Sequence, residues 1–235
     1  MNVKKHIPNL ITLLNLFCGC IALIFAIDFD FEKAFLFVSL GIFLDFFDGF
    51  FARLFKVSSP LGLQLDSLAD MVTSGLVPGF VMFVMLSSGN ASAATWVPYL
   101  GFIITVGSCY RLANFNIDTR QTDSFIGLPT PANALFILSL PLVIQHTNSD
   151  FLVEVLHNKW VLLGITGLSA FILNAEIPLF SLKIKEFSWA KNKLQVGFLA
   201  CSLVLLISFQ FLAIPLIILL YVLLSLANNL LPNHK

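Results

Sequence analysis

The sequence predicts an all-α polytopic membrane protein. Of its 235 residues, 58% are hydrophobic and 11% are charged, and 25 are phenylalanine. This composition lies outside the range of soluble globular domains. A membrane span needs about 20 mostly apolar residues, and we expect six to eight spans, because the fifth candidate is short and the last two nearly merge. The eight candidates are residues 8–27, 34–55, 65–87, 96–115, 131–146, 160–180, 194–209 and 212–231.

Short segments rich in turn-forming residues separate the candidate spans. They lie at 28–30, 58–62, 87–90 and 127–131, and they are built from Gly, Pro, Ser, Asp and Asn. The sequence shows no internal repeat and no connector long enough for a soluble domain, so we expect a single membrane domain over residues 1–235. The segment at 58–62 predicts a tight antiparallel hairpin of the second and third spans.

The basic residues are distributed asymmetrically along the chain. With a cytoplasmic N-terminus and eight spans, eleven Lys and Arg residues fall on the inside, and only Lys33 and Lys159 fall outside. This positive-inside bias predicts that both termini lie in the cytoplasm. The inner end of the hairpin then faces the cytosol.

Four aspartates lie on the predicted hairpin, where an ionised side chain costs roughly 2.5 kcal/mol or more at the bilayer centre. Asp45 and Asp48 belong to the second span, and Asp66 and Asp70 belong to the third. Their i, i+3 and i, i+4 spacings place each pair on one helix face. Because the spans are antiparallel neighbours, the two faces should meet. We therefore predict a functional site at the cytosolic end of the hairpin.

Divalent cations are the simplest way to relieve the repulsion between four carboxylates in a low-dielectric site. Oxygen ligands favour Mg²⁺ or Mn²⁺ over Zn²⁺, which would be expected to recruit His or Cys. Two cations would nearly balance the four charges and leave Lewis acidity for a phosphate group. The histidines fall near the termini or in a predicted outer loop, away from the cluster: His6, His146, His157 and His234.

Small and basic residues accompany the aspartates on the second span. Gly49 and Ala52 remove side-chain bulk, which lets a ligand approach the backbone, and Arg53 can bind a phosphate through its fork of donors. An alternative is a proton relay or ion path in an ion-coupled transporter, with Arg53 as a structural counter-ion. A transporter needs a continuous polar path, and the last two spans and the outer halves of the others are too apolar to indicate one.

Residues 45–70 resemble the full signature of the CDP-alcohol phosphotransferase family. The pattern is Asp45-x2-Asp48-Gly49-x2-Ala52-Arg53-x8-Gly62-x3-Asp66-x3-Asp70. Members of this family are integral membrane enzymes that displace CMP from a CDP-linked donor with an alcohol, using divalent metal. The resemblance implies a six-helix catalytic core over about residues 5–190, followed by about two further spans over about 194–231.

The resemblance also assigns roles to the signature residues. The four aspartates would coordinate a dimetal centre of Mg²⁺ or Mn²⁺, and Asp70 would also deprotonate the attacking hydroxyl. The CDP moiety would lie against Gly49, Ala52, Arg53, Ser59 and Gly62.

Polar residues on the first span offer further contacts to the nucleotide. Asn9, Thr12 and Asn15 follow i, i+3, i+6 spacing near the predicted cytosolic end. We predict that Asn9 and Thr12 hydrogen-bond the cytidine or the pyrophosphate. The alternative is that these residues are interfacial or join neighbouring helices.

Four further stretches resemble the phosphatidylserine-forming bacterial branch of the family: residues 7–15, 65–70, 110–116 and 127–132. The resemblance implies transfer of a phosphatidyl group from CDP-diacylglycerol to L-serine at the bacterial inner membrane, with release of CMP. Glycerol 3-phosphate or an inositol derivative is the alternative acceptor, but a phosphorylated acceptor demands more cations than this chain offers.

The serine carboxylate needs a cationic partner, for which Arg111 and Arg120 are the candidates. Arg111 could instead snorkel or bind a lipid phosphate. The chain departs from the branch at Asn114, where a second Arg is usual, and at Ser74, where an aromatic residue is common. Both differences bear on how the acceptor is held.

The remaining expectations concern partners. Relatives are commonly dimers, so the resemblance implies a homodimer among membrane lipids. The chain carries 13 basic and 13 acidic residues, and we expect no nucleic-acid partner.

Overall fold

The structure is a computed structural model that describes residues 6–57, 59–88, 96–118, 126–180 and 192–230. Within these ranges the chain is largely helical and forms no named strand, which confirms the predicted all-α class. The helices are α1 (Ile7–Ile27), α2 (Phe31–Phe55), α3 (Pro60–Asp70), α4 (Val77–Ser87), α5 (Ile103–Ile117), α6 (Thr130–His146), α7 (Asp150–His157), α8 (Lys159–Asn174), α9 (Lys193–Phe209) and α10 (Ala213–Leu230).

The third predicted span is a composite helix. A π-helical turn, Met71–Leu76, joins α3 to α4, so that one helical segment runs from residue 60 to residue 87. Pro78 explains the wide turn, because proline lacks an N–H and its ring clashes with the carbonyl four residues earlier, which belongs to Ser74. A π-turn widens the helix at this point and begins directly after Asp70.

The hairpin between α2 and α3 is tighter than the sequence predicted. Lys56 ends α2 in the left-handed conformation, with φ of 55°. Ser59 then caps α3, because its Oγ accepts a hydrogen bond of 3.0 Å from the Gly62 amide, and Pro60 occupies the first turn. Residues 60–62, which we predicted to be loop, are therefore helical.

Three contacts show which helix ends and segments lie at the same level of the bundle. Glu32, at the start of α2, lies 3.1 Å from Nε2 of His146, at the end of α6. Phe211, between α9 and α10, packs against the His146 ring at 4.6 Å. Further along α10, the Tyr221 hydroxyl donates to the carbonyl of Phe180, which follows α8, at 2.9 Å.

The two C-terminal helices form an antiparallel hairpin. The rings of Phe198 on α9 and Tyr221 on α10 lie 5.6 Å apart, whereas residues this far apart in one straight helix would be separated by about 35 Å. The chain reverses at Gln210, where φ is 47° and ψ is −117°. The two nearly merged candidate spans are therefore separate helices.

Three described helical segments are each long and apolar enough to cross a membrane: Ile7–Ile27, Phe31–Phe55 and Pro60–Ser87. A fourth such segment, Lys193–Leu230, has 38 residues and contains both helices of the C-terminal hairpin. The pair α7 and α8, bent by 70°, makes a fifth if it is one span. The molecule is a membrane protein, as predicted. The count of eight spans stays a prediction, because α5, α6 and α8 have only 15, 17 and 16 residues.

One predicted connector contains a helix, and one predicted span boundary is wrong. The outer loop that we expected between the fifth and sixth spans contains the short helix α7, whose last residue is His157. The sixth candidate span, which we extended to residue 180, ends as a helix at Asn174. Apolar residues continue beyond this helix, and hydropathy alone does not register that the backbone has become extended.

The most buried helix of the bundle is α4. Val77, Val81 and Met82 are fully buried there, and they pack with side chains of α1, α2 and α6 in one apolar cluster. Since α3 leads into α4 through the π-turn, the end of α3 is carried into the interior. Asp70, its last residue, is consequently only 7% exposed.

Candidate active site

Three of the four predicted aspartates converge between α2 and α3. One carboxylate oxygen from each of Asp45, Asp48 and Asp66 lies within 4.8 Å of the other two. Asp48 is buried and the other two are half-buried. Among the described residues, these three form the one group of acidic, His or Cys side chains close enough to share a cation.

The fourth aspartate is joined to the group through α1. Asn15 is fully buried, and its Nδ2 donates to Oδ1 of Asp70 at 3.2 Å and to Oδ1 of Asp45 at 3.3 Å. One amide group on the first helix thus bridges the carboxylates of the next two helical segments. Asp70 lies one helical turn beyond Asp66, deeper in the bundle.

A second polar residue of α1 contacts the cluster. The Thr12 hydroxyl donates to Oδ2 of Asp48 at 2.5 Å, and it also lies 3.1 Å from the Pro8 carbonyl. We predicted a nucleotide contact for Thr12, and the structure adds a direct bond to one of the carboxylates. Such a bond fixes the orientation of the carboxylate and leaves its other oxygen free to bind a ligand.

The cluster opens into a cavity of about 430 Å³ between α1, α2 and α3. This volume is within the range of small-molecule sites. Of the described residues that we predicted to bind metal or CDP, the cavity is lined by Asn9, Thr12, Asp45, Asp48, Gly49, Arg53, Ser59, Gly62 and Asp66. The remaining lining residues are Pro8, Phe46, Val57 and Leu63.

Arg53 and open space beside Gly49 lie on one side of the cavity, and the start of α3 lies at its mouth. Arg53 is exposed on the last turns of α2, and a Cβ on Gly49 would meet nothing within 4 Å. Ser59 uses an oxygen lone pair to cap α3, so its own O–H stays available for donation. Ala52, which we predicted to contact CDP, is not among the described residues that line the cavity. Its carbonyl accepts a hydrogen bond of 2.9 Å from the Val57 amide.

The donor set fits a hard divalent cation. The three clustered groups are all carboxylates, which suit Mg²⁺ or Mn²⁺. Carboxylates this close repel one another, and a bound cation removes that repulsion. We predicted that His146 and His157 lie away from the cluster. His146 is in the last turn of α6, and His157 is the last residue of α7.

Of the two arginines that we predicted to bind the acceptor, the structure describes Arg111. Arg111 is buried on α5, and its Nε donates to the Leu128 carbonyl at 2.5 Å while Nη2 lies 3.4 Å from the Gly127 carbonyl. Arg111 neither snorkels to the surface nor lines the cavity among the described residues. Arg120 lies outside the described residues.

Two side-chain bonds give the depth of Arg111 in the bundle. Asn116 Nδ2 donates to Ser67 Oγ at 2.8 Å, and Thr105 Oγ1 donates to the Gly75 carbonyl at 3.0 Å. These bonds show that α5 runs antiparallel to the composite helix. Arg111 lies midway between them along α5, at the level of the end of α3 where the fourth aspartate is located.

The positions that depart from the bacterial branch lie in different environments. Ser74 is fully buried in the π-turn, and its Oγ has no hydrogen-bond partner among the described residues. Ser108, one turn before Arg111, has the same properties. Asn114 is exposed on α5.

Sequence reasoning left open that Asn15 joins neighbouring helices, but it did not identify the two carboxylates that Asn15 binds. Its spacing from Asn9 and Thr12 marked it as polar on the same helix, but the residues it bonds lie 30 and 55 positions away. The signal that existed was a wholly polar amide in an otherwise apolar span, which indicates a buried partner without naming it.

The fold and the site define a class: an all-α membrane protein with a carboxylate cluster suited to divalent cations beside a cavity with an arginine at its mouth. Residues 5–171 match the CDP-alcohol phosphatidyltransferase family. The chain belongs to this family, which confirms the resemblance inferred from the signature.

Individual relatives share about a third of the matched residues. The chain is 34% identical over 140 residues to the CDP-diacylglycerol–serine O-phosphatidyltransferase of Bacillus subtilis, covering 58% of this chain and 75% of that protein. Proteins of the same name from Helicobacter pylori and Saccharomyces cerevisiae are 34% and 32% identical over 135 and 151 residues. These matches cover 56% and 57% of this chain, but only 55% and 53% of those proteins.

Proposed function

We propose that this protein transfers the phosphatidyl group of CDP-diacylglycerol to the hydroxyl of L-serine, which yields phosphatidylserine and CMP. The observation that carries the proposal is the convergence of three signature carboxylates and Arg53 on one cavity. The choice of serine as acceptor is supported by the names of the relatives.

The donor's pyrophosphate is proposed to bind between Arg53 and the start of α3. Arg53 supplies paired N–H donors that match phosphate oxygens. Ser59 supplies an O–H, and the first turn of α3 presents a helix N-terminus, which favours negative charge. The open space beside Gly49 lets the nucleotide approach the α2 backbone.

The three clustered aspartates would hold the divalent cations, proposed to be two Mg²⁺ or Mn²⁺ ions together with Asp70. When bound, such ions offset the negative charge of the pyrophosphate and of departing CMP. Thr12, by donating to one oxygen of Asp48, fixes how that carboxylate presents its other oxygen. The polar contacts from α1 therefore prepare the site before substrate arrives.

Asp70 is the proposed base. The serine hydroxyl oxygen forms a bond to the phosphorus that carries the diacylglycerol, the bond from that phosphorus to the CMP oxygen breaks, and the hydroxyl proton passes to a carboxylate oxygen of Asp70. Asn15 donates to Oδ1 of Asp70, which leaves Oδ2 as the proposed proton acceptor. CMP departs with the electron pair of the broken bond.

Arg111 is proposed to bind the serine carboxylate, with Arg120 as the other candidate. Its bonds to two backbone carbonyls use Nε and Nη2, and the guanidinium has five N–H groups in total. The donors that remain are at the depth of the proposed base. The distribution of basic residues supports a cytoplasmic active face and cytoplasmic termini in a bacterial inner membrane.

The test is an assay of the purified full chain in CDP-diacylglycerol micelles with labelled serine and Mn²⁺, following both labelled lipid and released CMP. We expect serine-dependent formation of both products. Asp70→Asn should lower kcat by about 10²- to 10⁴-fold, because the proton acceptor is lost. The matched control is Asp150→Asn, an exposed aspartate on α7, which should keep the wild-type rate.

Two results would contradict the proposal. CMP release with glycerol 3-phosphate or an inositol derivative, but not with serine, would show that the acceptor is wrong. Dissipation of a solute gradient by reconstituted vesicles, without turnover of any acceptor, would instead favour a transporter.

A further inference from the structure

Asn15 has an unusual environment for a residue in the middle of an apolar span. It is 0% exposed, and its Nδ2 has one hydrogen for each of two carboxylates, at 3.2 Å and 3.3 Å. The carboxylates belong to Asp45 on α2 and Asp70 on α3. The amide is thus the point at which three helical segments meet through polar atoms.

The environment of the amide oxygen shows that the surrounding residues hold the Asn15 side chain with its Nδ2 towards the carboxylates. Oδ1 of Asn15 is buried without a hydrogen-bond partner among the described residues, and it lies against Gly41, where a Cβ would come within 2.7 Å of it. A buried unpaired carbonyl oxygen is unfavourable. Turning the amide over would be worse, because it would direct that oxygen at two carboxylates.

The backbone of Asn15 is fixed against the π-turn. Thr73 Oγ1 donates to the Asn15 carbonyl at 3.1 Å. The approach is close, since a Cβ on Gly19 would lie 2.4 Å from that hydroxyl and 3.0 Å from the Thr73 Cα. Thr73 follows Asp70 by three residues, so the contact sets the distance between the amide and the end of α3.

We propose that Asn15 is a positioning residue that holds the carboxylates of Asp70 and Asp45 in a fixed mutual arrangement. The inference rests on the proposed function, in which Asp70 is the base and Asp45 a cation ligand. By occupying one oxygen of each carboxylate, the amide directs the other oxygen of Asp70 towards the acceptor hydroxyl and that of Asp45 towards the cation. Partners of metal ligands act in this way in other proteins.

The first variant is Asn15→Leu, which has similar volume and no donor. We expect kcat to fall about 10- to 100-fold, while KM for CDP-diacylglycerol and for serine changes by less than about threefold, because Asn15 does not line the described cavity. Direct Mn²⁺ binding, measured by electron paramagnetic resonance without substrate, should weaken about tenfold.

The matched control is Asn133→Leu. Asn133 is also a buried asparagine, on α6, and its Oδ1 accepts a 2.6 Å hydrogen bond from Ser169 on α8. A purely structural role would give both variants the same pattern, namely a lower Tm with unchanged kcat and Mn²⁺ affinity in the folded fraction. The control should show that pattern, and Asn15→Leu should not.

A second variant keeps Asn15 but displaces its side-chain amide. Gly41→Ala places a methyl against Oδ1 of Asn15 and against Thr73 Cγ2, at 2.7 and 2.8 Å before relaxation. We expect weaker Mn²⁺ binding and lower kcat, in the same direction as Asn15→Leu. Gly164→Ala, where a Cβ meets nothing within 4 Å, should leave both unchanged.

Wild-type kcat and Mn²⁺ affinity in Asn15→Leu would overturn the inference. So would a loss no greater than that of Asn133→Leu at equal folded fraction. Failure of the proposed function is distinguishable, because wild-type protein would then not use serine, whereas the Mn²⁺ measurement compares the variants without any acceptor.

Discussion

Two regions of the molecule differ in the contacts that join their helices. One is the site, formed by α1, α2 and α3, and the other is the hairpin of α9 and α10. At the site, buried polar groups connect the helices: Thr12 binds Asp48, and Asn15 binds Asp70. In the hairpin, the contacts include ring packing, such as that between Phe198 and Tyr221. Within the hairpin, 11% of an apolar stretch of 18 residues is buried, compared with 33% in α1, 22% in α2 and 67% in the composite helix of α3 and α4.

The difference explains where the chain resembles its family. The match covers residues 5–171 and ends before α9. A buried polar contact works only with particular partners at particular distances, since an unpaired group is unfavourable. A lipid-facing surface accepts many apolar side chains. The family match therefore includes the polar site and excludes the hairpin.

Removal of divalent cations should give the largest contrast between the two regions. We expect excess EDTA to lower turnover by more than about 100-fold, because charge compensation of several kcal/mol is lost at the carboxylate cluster. Helicity by circular dichroism should stay unchanged, since the carboxylate cluster is the one group among the described residues that could share a cation, and it lies outside the hairpin and the apolar core. Added Mn²⁺ or Mg²⁺ should restore the rate, and full activity in excess chelator would refute a cation-dependent reaction.

Substitution of Gly49 should affect the cavity without disturbing the fold. We expect Gly49→Ala to raise KM for CDP-diacylglycerol about tenfold, because a methyl group costs the nucleotide its close approach to α2, and one mismatched methyl in a pocket is worth about 10-fold or more. Steady-state kinetics with varied donor concentration measures the change.

The control for this variant is Gly164→Ala on α8. A Cβ meets nothing within 4 Å at either glycine, so the two variants share the intrinsic helix effect of Gly→Ala. Equal kinetic effects in both would show that Gly49 has no special relation to the donor.

Loss of a hydroxyl in the hairpin should give the smallest effect, confined to stability. The Tyr221 hydroxyl donates to the Phe180 carbonyl at 2.9 Å, and we expect Tyr221→Phe to lower the free energy of unfolding by about 1 kcal/mol. Because neither Tyr221 nor Phe180 lines the cavity, kcat should be unchanged. Denaturant unfolding in detergent measures the effect, with the exposed Tyr99→Phe as control; a large loss of kcat would mean that the hairpin supports the site.

Local patterns made much of this architecture predictable. Hydropathy marked a helix at each candidate span, and the hairpin at Ser59 followed from turn chemistry. The convergence of Asp45, Asp48 and Asp66 followed from helical periodicity in two adjacent antiparallel helices. In each case the partners lie close in the chain, and their geometry is almost determined by the backbone.

Other features were not accessible in this way. The π-turn before Pro78 depends on how a continuous helix accommodates the missing N–H of that proline. The start of α3 at Pro60 depends on the cap formed by Ser59, in a segment whose residue types are also typical of loops. The placement of Arg111 at the depth of the proposed base depends on how α5 packs against the composite helix.

The sequence by itself determined that the chain is helical, that it resides in a membrane and that acidic groups meet on one hairpin, because hydropathy and the 3.6-residue period act locally. Only the tertiary structure decided that Asn15 joins Asp45 to Asp70. A single buried amide in an apolar helix can satisfy its hydrogen bonds in many ways. The packing of α1 against Gly41 and Thr73 selects one of them.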